Sequence, residues 1–188
     1  ILATAQKFVD QGKIRYLGLS NETPYGLSKY LHLSSTHKFP RVVSVQNPYS
    51  LINRTYEVGM AEMSVREKVG LLAYSPLAFG MLTGKYLNGQ MPEGSRLKLY
   101  SKNFPRYQGT RSQLAVEEYY KIAQKYEMSL TQMSLAFVNM QPFVDSNIIG
   151  ATNMKQLEEN IDSVHIDLSD EIVKDINAIH EYNPSPAP

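Results

Sequence analysis

A parallel α/β sheet is the fold class this sequence predicts, on two observations. Short apolar runs recur along the chain: "IRYLGLS" from Ile14, "VVSVQ" from Val42 and "LLAYS" from Leu71. Each has the composition of a strand buried on both faces. Helical stretches separate them, and strand alternating with helix gives parallel strands joined by right-handed crossovers. Period alone does not separate a barrel from an open, doubly wound sheet. Four strands are too few to close a barrel, and a whole one takes roughly 250 residues, so a barrel here would be about half of one.

The elements follow in order. "ILATAQKFVDQGK" carries Ile1, Ala5, Phe8 and Val9 at helical spacing and stops at Gly12. It opens without a cap and without Met, as a chain cut inside a helix would. After the first strand, Thr23 caps a helix with Pro24 at its first position, running towards Leu33. After the second, a helix is expected from about Thr55 to Lys68, with Val58, Ala61, Met63 and Val65 among its apolar residues. The third strand leads into a loop rich in Gly, Pro and basic residues, Phe79 to Thr110. Two helices follow: Gln113 to Tyr126, and one opening at Ser129 with Gln132 in a capping-box pattern and ending before Pro142. A fourth strand, "SNIIG", is expected from Ser146. A helix from about Asn153 to Ile161 and another from about Asp170 to His180, capped by Ser169, complete the order. The tail "NPSPAP" is expected to be disordered. That makes one domain over 1–182 and a tail over 183–188.

Composition narrows the function. With 188 residues and 43% hydrophobic content, one sizeable core is enough. A net charge of +1 with both signs interspersed suggests neither a nucleic-acid surface nor a membrane face. Without cysteine there is no disulfide framework and no thiolate metal site. No apolar run reaches the roughly 18 residues of a membrane helix, and no secretory signal opens the chain. A cytoplasmic protein is expected; with the N-terminus missing, an organelle transit peptide stays open.

Chemistry in parallel α/β proteins sits at the carboxyl ends of the strands. Those ends are Gly18-Leu19-Ser20-Asn21, Gln46-Asn47-Pro48-Tyr49, Tyr74-Ser75-Pro76-Leu77 and Gly150-Ala151-Thr152-Asn153. A lone Ser, Asn or Thr there ordinarily just caps a helix. Gly80 to Lys85 hints at a phosphate-cradling loop. Its glycine spacing is one residue short, and Tyr86 stands where such a loop needs Ser or Thr. Gly-x-Gly-x-x-Gly, Gly-x-Ser-x-Gly and His-Glu-x-x-His motifs are all absent.

Taken together, "GKIRYLGLSNETPYG", "QNPYSLINR", "LLAYSPLAFGMLTGKY" and "IIGATNMKQLEENI", in this order and spacing, resemble the second half of the aldo-keto reductase family, and within it the Tas-like branch. The resemblance implies a (β/α)8 TIM-barrel fragment: parallel strands five to eight with their helices and a C-terminal helix. It implies an NADP(H)-dependent reductase of aldehydes or ketones, with the cofactor extended across the carboxyl face. By resemblance, Tyr74 would stack on the nicotinamide; an aromatic face suits a flat ring that must present one side. Ser20, Asn21 and Gln46 would hydrogen-bond its carboxamide, since Asn and Gln offer both a donor and an acceptor. Ser75, Pro76, Leu77, Phe79 and Leu82 would line the pyrophosphate, with Lys85 and Arg96 adding charge from the covering loop. Gly150 and Thr152 would meet the 2′-phosphate at a helix start, where free N–H groups and the helix dipole favour an anion, with Lys155 within a turn. Gln156, Glu159 and Asn160 share a helix face that would meet adenine and its ribose.

The family's tyrosine acid, with its lysine, aspartate and histidine, comes from the half preceding these strands. No catalytic residue is therefore assigned, and the chain alone is expected to be inactive. The missing N-terminal half of the barrel is the expected partner. The alternative is a non-catalytic, regulatory half-barrel that keeps nucleotide contacts.

Overall fold

A computed structural model describes residues 1–100, 102 and 104–188. Four parallel strands, β1 (Leu17–Ser20), β2 (Val42–Pro48), β3 (Gly70–Tyr74) and β4 (Val144–Asn147), pair in sequential order. The helices are α1 (Leu2–Asp10), α2 (Pro24–His37), α3 (Met60–Glu67), α4 (Arg96–Tyr100), α5 (Thr110–Lys125), α6 (Leu130–Asn139), α7 (Met154–Asp162) and α8 (Asp170–Tyr182). A doubly wound sheet reverses its strand order at a switch point. Here each crossover steps the same way, so the sheet is a stretch of (β/α) barrel wall.

Pairing sorts the side chains into rows. Leu19, Val45, Leu71 and Val144 are register partners across the sheet, and Val45 and Leu71 lie fully inside the core. One residue on, Ser20, Gln46, Leu72 and Ser146 form the next row. Successive strand residues point to opposite faces, so this second row lies on the other face. Ser20, Gln46 and Ser146 are exposed. The strands are thus buried on one face and open on the other, rather than buried on both as their composition suggested.

Several boundaries differ from expectation. The first strand starts at Leu17, not Ile14, because the Lys13 and Ile14 amides turn back to the Phe8 carbonyl (2.9 and 3.4 Å). The fourth is Val144–Asn147, not Ser146 to Gly150. Pairing with β3 decides it: Leu71 faces Val144 and Leu72 faces Ser146, leaving Asp145 as the extra residue of a bulge. Ile148 still donates to the Ala73 carbonyl (2.8 Å), where the ladder ends. The helix expected over Thr55 to Lys68 splits into a 3-10 turn, Thr55–Glu57, and α3. Gly59, at φ +86°, makes the break. Met60 and Ser64 face inward, while Val58 and Val65 are 81% and 57% exposed.

The caps at Thr23, Ser129 and Ser169 are present, each accepting from the amide three residues on. At a helix start such a bond satisfies a donor that has no partner within the helix.

A polar hub sits where β2 leaves the sheet. Arg54 grips Glu57 with two bonds (2.6 and 2.9 Å), donates to Asn177 of α8 (2.8 Å), and lies over the Phe137 ring at 4.9 Å. The buried Tyr49 hydroxyl donates to the same carboxylate at 2.6 Å. Burial, and then Glu57, push its pKa up, so it remains a donor.

The tail docks on this hub. Ala187 is fully buried and donates to the Ile52 carbonyl, the Ser185 hydroxyl accepts from the Arg54 amide, and Ser112 donates to the Pro186 carbonyl. Asn183 exchanges two 2.9 Å bonds with Arg111. The expectation of a disordered 183–188 is therefore corrected. Proline-rich composition is a poor guide where the backbone polar groups find partners.

Removing one partner of a buried ion pair strands the other charge. Arg54→Ala is expected to cost about 3 kcal/mol in urea unfolding, near the low end of the usual range because Glu57 is partly exposed.

His180 of α8 has a buried Nδ1 with no partner among the described residues. Burial, then Arg54, lower its pKa, with Glu57 opposing. The folded state therefore resists a proton that the unfolded chain accepts near pH 6.5. This contribution to stability is complete above about pH 6.5 and declines as the pH falls below it. The melting temperature should drop less between pH 7.5 and 5.5 in His180→Gln than in the parent chain.

Candidate functional site

The carboxyl ends of β1, β2 and β3 meet in one polar cluster. Asn21, just past β1, adopts φ +53°, a left-handed conformation that Asn tolerates better than most residues. Its amide extends the ladder to the Gln46 carbonyl (2.9 Å). Its Oδ1 accepts from the Tyr74 hydroxyl (2.8 Å), and its Nδ2 donates to Ser20 Oγ (3.0 Å). Ser20, Asn21 and Tyr74 thus form one hydrogen-bonded chain reaching from β1 to β3. Gln46 lies between those strands, exposed, and its carboxamide has no partner among the described residues. A free amide beside a tethered aromatic ring is a donor set suited to a flat ring bearing a carboxamide. Sequence had singled out these four residues, and the fold brings them together.

Asn47 carries a role that sequence reading missed. Its Oδ1 accepts from the Glu22 amide (3.0 Å), and its Nδ2 donates to the Glu22 carbonyl (2.9 Å). The available signal was modest: an Asn at a strand end, next to a candidate ligand. Arg54 and Glu57 were also missed, although opposite charges three apart beside the apolar "YSLIN" hinted at a buried pair.

After β3 the chain coils tightly. Ser75, Ala78, Phe79, Gly80 and Gly84 all have positive φ. The Ala78 and Gly80 amides close turns to Ser75 and Leu77, both at 2.8 Å. The Phe79 ring contacts both Phe104 (4.0 Å between centroids) and the Arg96 guanidinium (4.9 Å). The Lys85 side chain lies against Gly80, so closely that a Cβ there would sit 2.8 Å from its Cε. Two cations therefore border adjacent residues of the coil.

Leu82 is fully buried and Pro76 is buried, so neither side chain lines an open surface as expected. Only their backbone could face a ligand. The positive-φ residues around them break the strand period, and both side chains lie in the core.

The segment after β4 needs further corrections. The N-cap of α7 is Asn153, whose Oδ1 accepts from the Gln156 amide (3.0 Å); Thr152 lies just outside the helix. The Thr152 amide and hydroxyl both donate to Gln156 Oε1 (2.9 and 3.0 Å). Asn160 is 3% exposed and donates to the Gly150 carbonyl at 3.2 Å. It holds the loop and does not present its amide outward. Glu159 accepts from Ser129 Oγ at 2.6 Å, tying α7 to the start of α6. Thr152, Lys155, Gln156 and Gly150 remain exposed.

Among the described residues, no group of His, Cys, Asp and Glu could hold a metal ion, and no helix is long and apolar enough to cross a membrane.

A one-way parallel sheet with an amide and aromatic cluster at its carboxyl ends defines a barrel-type α/β protein. Residues 1–181 match the Aldo/keto reductase family, and the chain belongs to that family. It is 54% identical over 177 residues to Protein tas of Escherichia coli (strain K12), covering 94% of this chain and 51% of that protein. It is 38% identical over 186 residues to an aldo-keto reductase of Babesia bovis, covering 95% and 65%. It is 32% identical over 162 residues to L-glyceraldehyde 3-phosphate reductase of Escherichia coli O157:H7, covering 84% and 46%. The chain spans about half the length of Protein tas.

Gly80 has a φ of +94°, which strains any side chain there, while the Lys85 contact is with the far end of a flexible side chain that can move aside. Gly80→Ala should destabilise the chain by about 1–3 kcal/mol. Thermal unfolding of the variant beside the parent checks this.

Proposed function

We propose that the chain holds NADP(H) across the carboxyl ends of its strands and serves the reduction of an aldehyde or ketone to an alcohol. The observation that carries this reading is the Ser20–Asn21–Tyr74 hydrogen-bonded chain beside the unpartnered Gln46 amide. Reduced nicotinamide, when bound, supplies a hydride to the carbonyl carbon. The residues of this chain bind and orient it. Gln46 and Asn21 hold the carboxamide, with Ser20 fixing the Asn21 amide. Tyr74, anchored at its hydroxyl, offers its ring face for stacking, which constrains a flat partner to one presentation. The backbone of Ser75 to Leu82 and the charges of Lys85 and Arg96 serve the pyrophosphate, with Phe79, in contact with Arg96 and Phe104, as part of the wall. Gly150, Thr152, Lys155 and Gln156 serve the 2′-phosphate and ribose at the start of α7. Glu159 and Asn160, each bonded within the protein, shape that end. The proton for the alkoxide comes from a group outside these residues.

Membership of the family and the reductase names of two relatives support an oxidoreductase. The choice of NADP(H) rests on the α7 end. A phosphate there gains the helix dipole and a charge-assisted hydrogen bond, together about 2–4 kcal/mol. Against this, the Thr152 donors must leave Gln156, and Glu158 and Glu159 lie a turn further in. The net preference for NADPH over NADH is expected near ten-fold, about 1.4 kcal/mol.

The chain has 13 tyrosines and no tryptophan, so quenching of tyrosine emission reports binding of each cofactor. Tighter NADPH binding, lost in a Thr152→Ala/Lys155→Ala variant, is the expected result. Equal dissociation constants, or a preference for NADH, would sink the assignment of Thr152 and Lys155.

A further inference from the structure

The sheet has two faces, and the candidate site uses one of them. Gln46 belongs to the open row, while Asn47, the next residue, points to the opposite, helix-covered face. Its register partner is Ala73, which is fully buried. Asn47 therefore cannot reach a ligand lying over Gln46.

What Asn47 reaches instead is the backbone of Glu22. Its carboxamide meets both the amide and the carbonyl of that residue, at 3.0 and 2.9 Å, as a paired strand residue would. The two bonds fix the peptide planes on either side of Glu22. The first of these planes begins at Asn21. Asn21 holds a left-handed conformation and has its side chain committed to Tyr74 and Ser20. Two backbone bonds, one from the Asn21 amide to Gln46 and one at Glu22, thus bracket a single strained residue. Without the clamp, β1 could relax out of that turn, and the Asn21 amide would lose its aim.

We infer that Asn47 is a positioning residue for the nicotinamide end of the site: it acts through the Glu22 backbone and fixes Asn21, without touching the cofactor. The inference rests on the cofactor reading above. Its effect is confined to one end of the site, because Thr152 and α7 follow β4, at the far side of the sheet from β1.

The test uses two probes on the 188-residue chain. NADPH reports both ends of the site through the emission of its dihydronicotinamide. Adenosine 2′,5′-bisphosphate carries only the adenine end. In Asn47→Ala, the NADPH dissociation constant should rise about ten-fold, the order expected when two hydrogen bonds no longer hold a binding group. The enhancement of nicotinamide emission on binding should shrink with it, while affinity for adenosine 2′,5′-bisphosphate stays within about two-fold of the parent. Asn47→Asp keeps the shape and the acceptor for the Glu22 amide but loses the donor, so it should fall between the parent and Asn47→Ala.

An unchanged affinity and emission for NADPH in Asn47→Ala would overturn the inference. So would an equal loss for both probes, which marks general damage. A parent chain that binds the bisphosphate but shows no nicotinamide emission change overturns the nicotinamide reading itself, and a parent chain that binds neither overturns the cofactor reading as a whole.

Discussion

Everything at the open end of this sheet depends on β2 holding register with both of its neighbours. Strand side chains alternate with a period of two, so a slip of one residue would carry Gln46 to the helix face and turn Val45 to the open face. The register holds because Val45 and Leu71, adjacent in pairing, are both fully buried in the core. A polar row on one face is thus specified by an apolar row on the other. Hydrogen bonds beyond the strands extend the same register. The Asn21 amide reaches the Gln46 carbonyl, and the Tyr49 amide reaches the Tyr74 carbonyl. The ends of three strands are locked before any side chain of the candidate site takes part.

The Arg54 hub is a second organiser, and its physics is different. A buried ion pair gives little net stability compared with well-packed apolar groups, but it tolerates few alternative arrangements. Arg54 has a separate partner for each part of its guanidinium: two bonds to Glu57, one to Asn177 and the Phe137 face beneath. Tyr49, the first residue past β2, donates to the same carboxylate. The hub thereby couples the exit of β2 to α8, and the docked tail covers it.

Much of the fold was legible because it is written in periodicity. The apolar runs at Val42 and Leu71 mark β2 and β3, and the Thr23, Ser129 and Ser169 caps mark helix starts. The rest depends on contacts that no local pattern encodes. Val-Asp-Ser-Asn does not look like a strand, yet pairing with β3 makes it one, while the more apolar Ile148 and Ile149 fall outside. Val58 and Val65 look like core and are exposed, because the break at Gly59 resets the helix face. Barrel wall and open sheet differ only in strand order, which pairing alone reveals. At the site, the residues on regular strand ends were easiest to place. Leu82 and Pro76 turn inward, which sequence does not show, because a run mixing positive- and negative-φ residues follows no simple period. Glu159 and Asn160 lie on the helix anticipated for them, but Ser129 and the Gly150 carbonyl claim their polar groups.

The bond between Thr152 and Gln156 has a consequence for affinity. Gln156 Oε1 takes both donors of Thr152, the position proposed to receive a phosphate. A side chain that accepts in place of the phosphate is a tethered competitor, present at an effective concentration that no dilution lowers. Any incoming anion must outcompete it, so the observed affinity is the intrinsic one multiplied by the share of time the amide leaves the position free. Singly charged ions in the surrounding buffer gain little from a screened helix end and rarely win the exchange. A doubly charged group gains roughly twice as much from the same dipole. The internal amide thus taxes every anion by the same factor; the discrimination among them comes from their charge at the helix end, and only a ligand with affinity to spare stays bound.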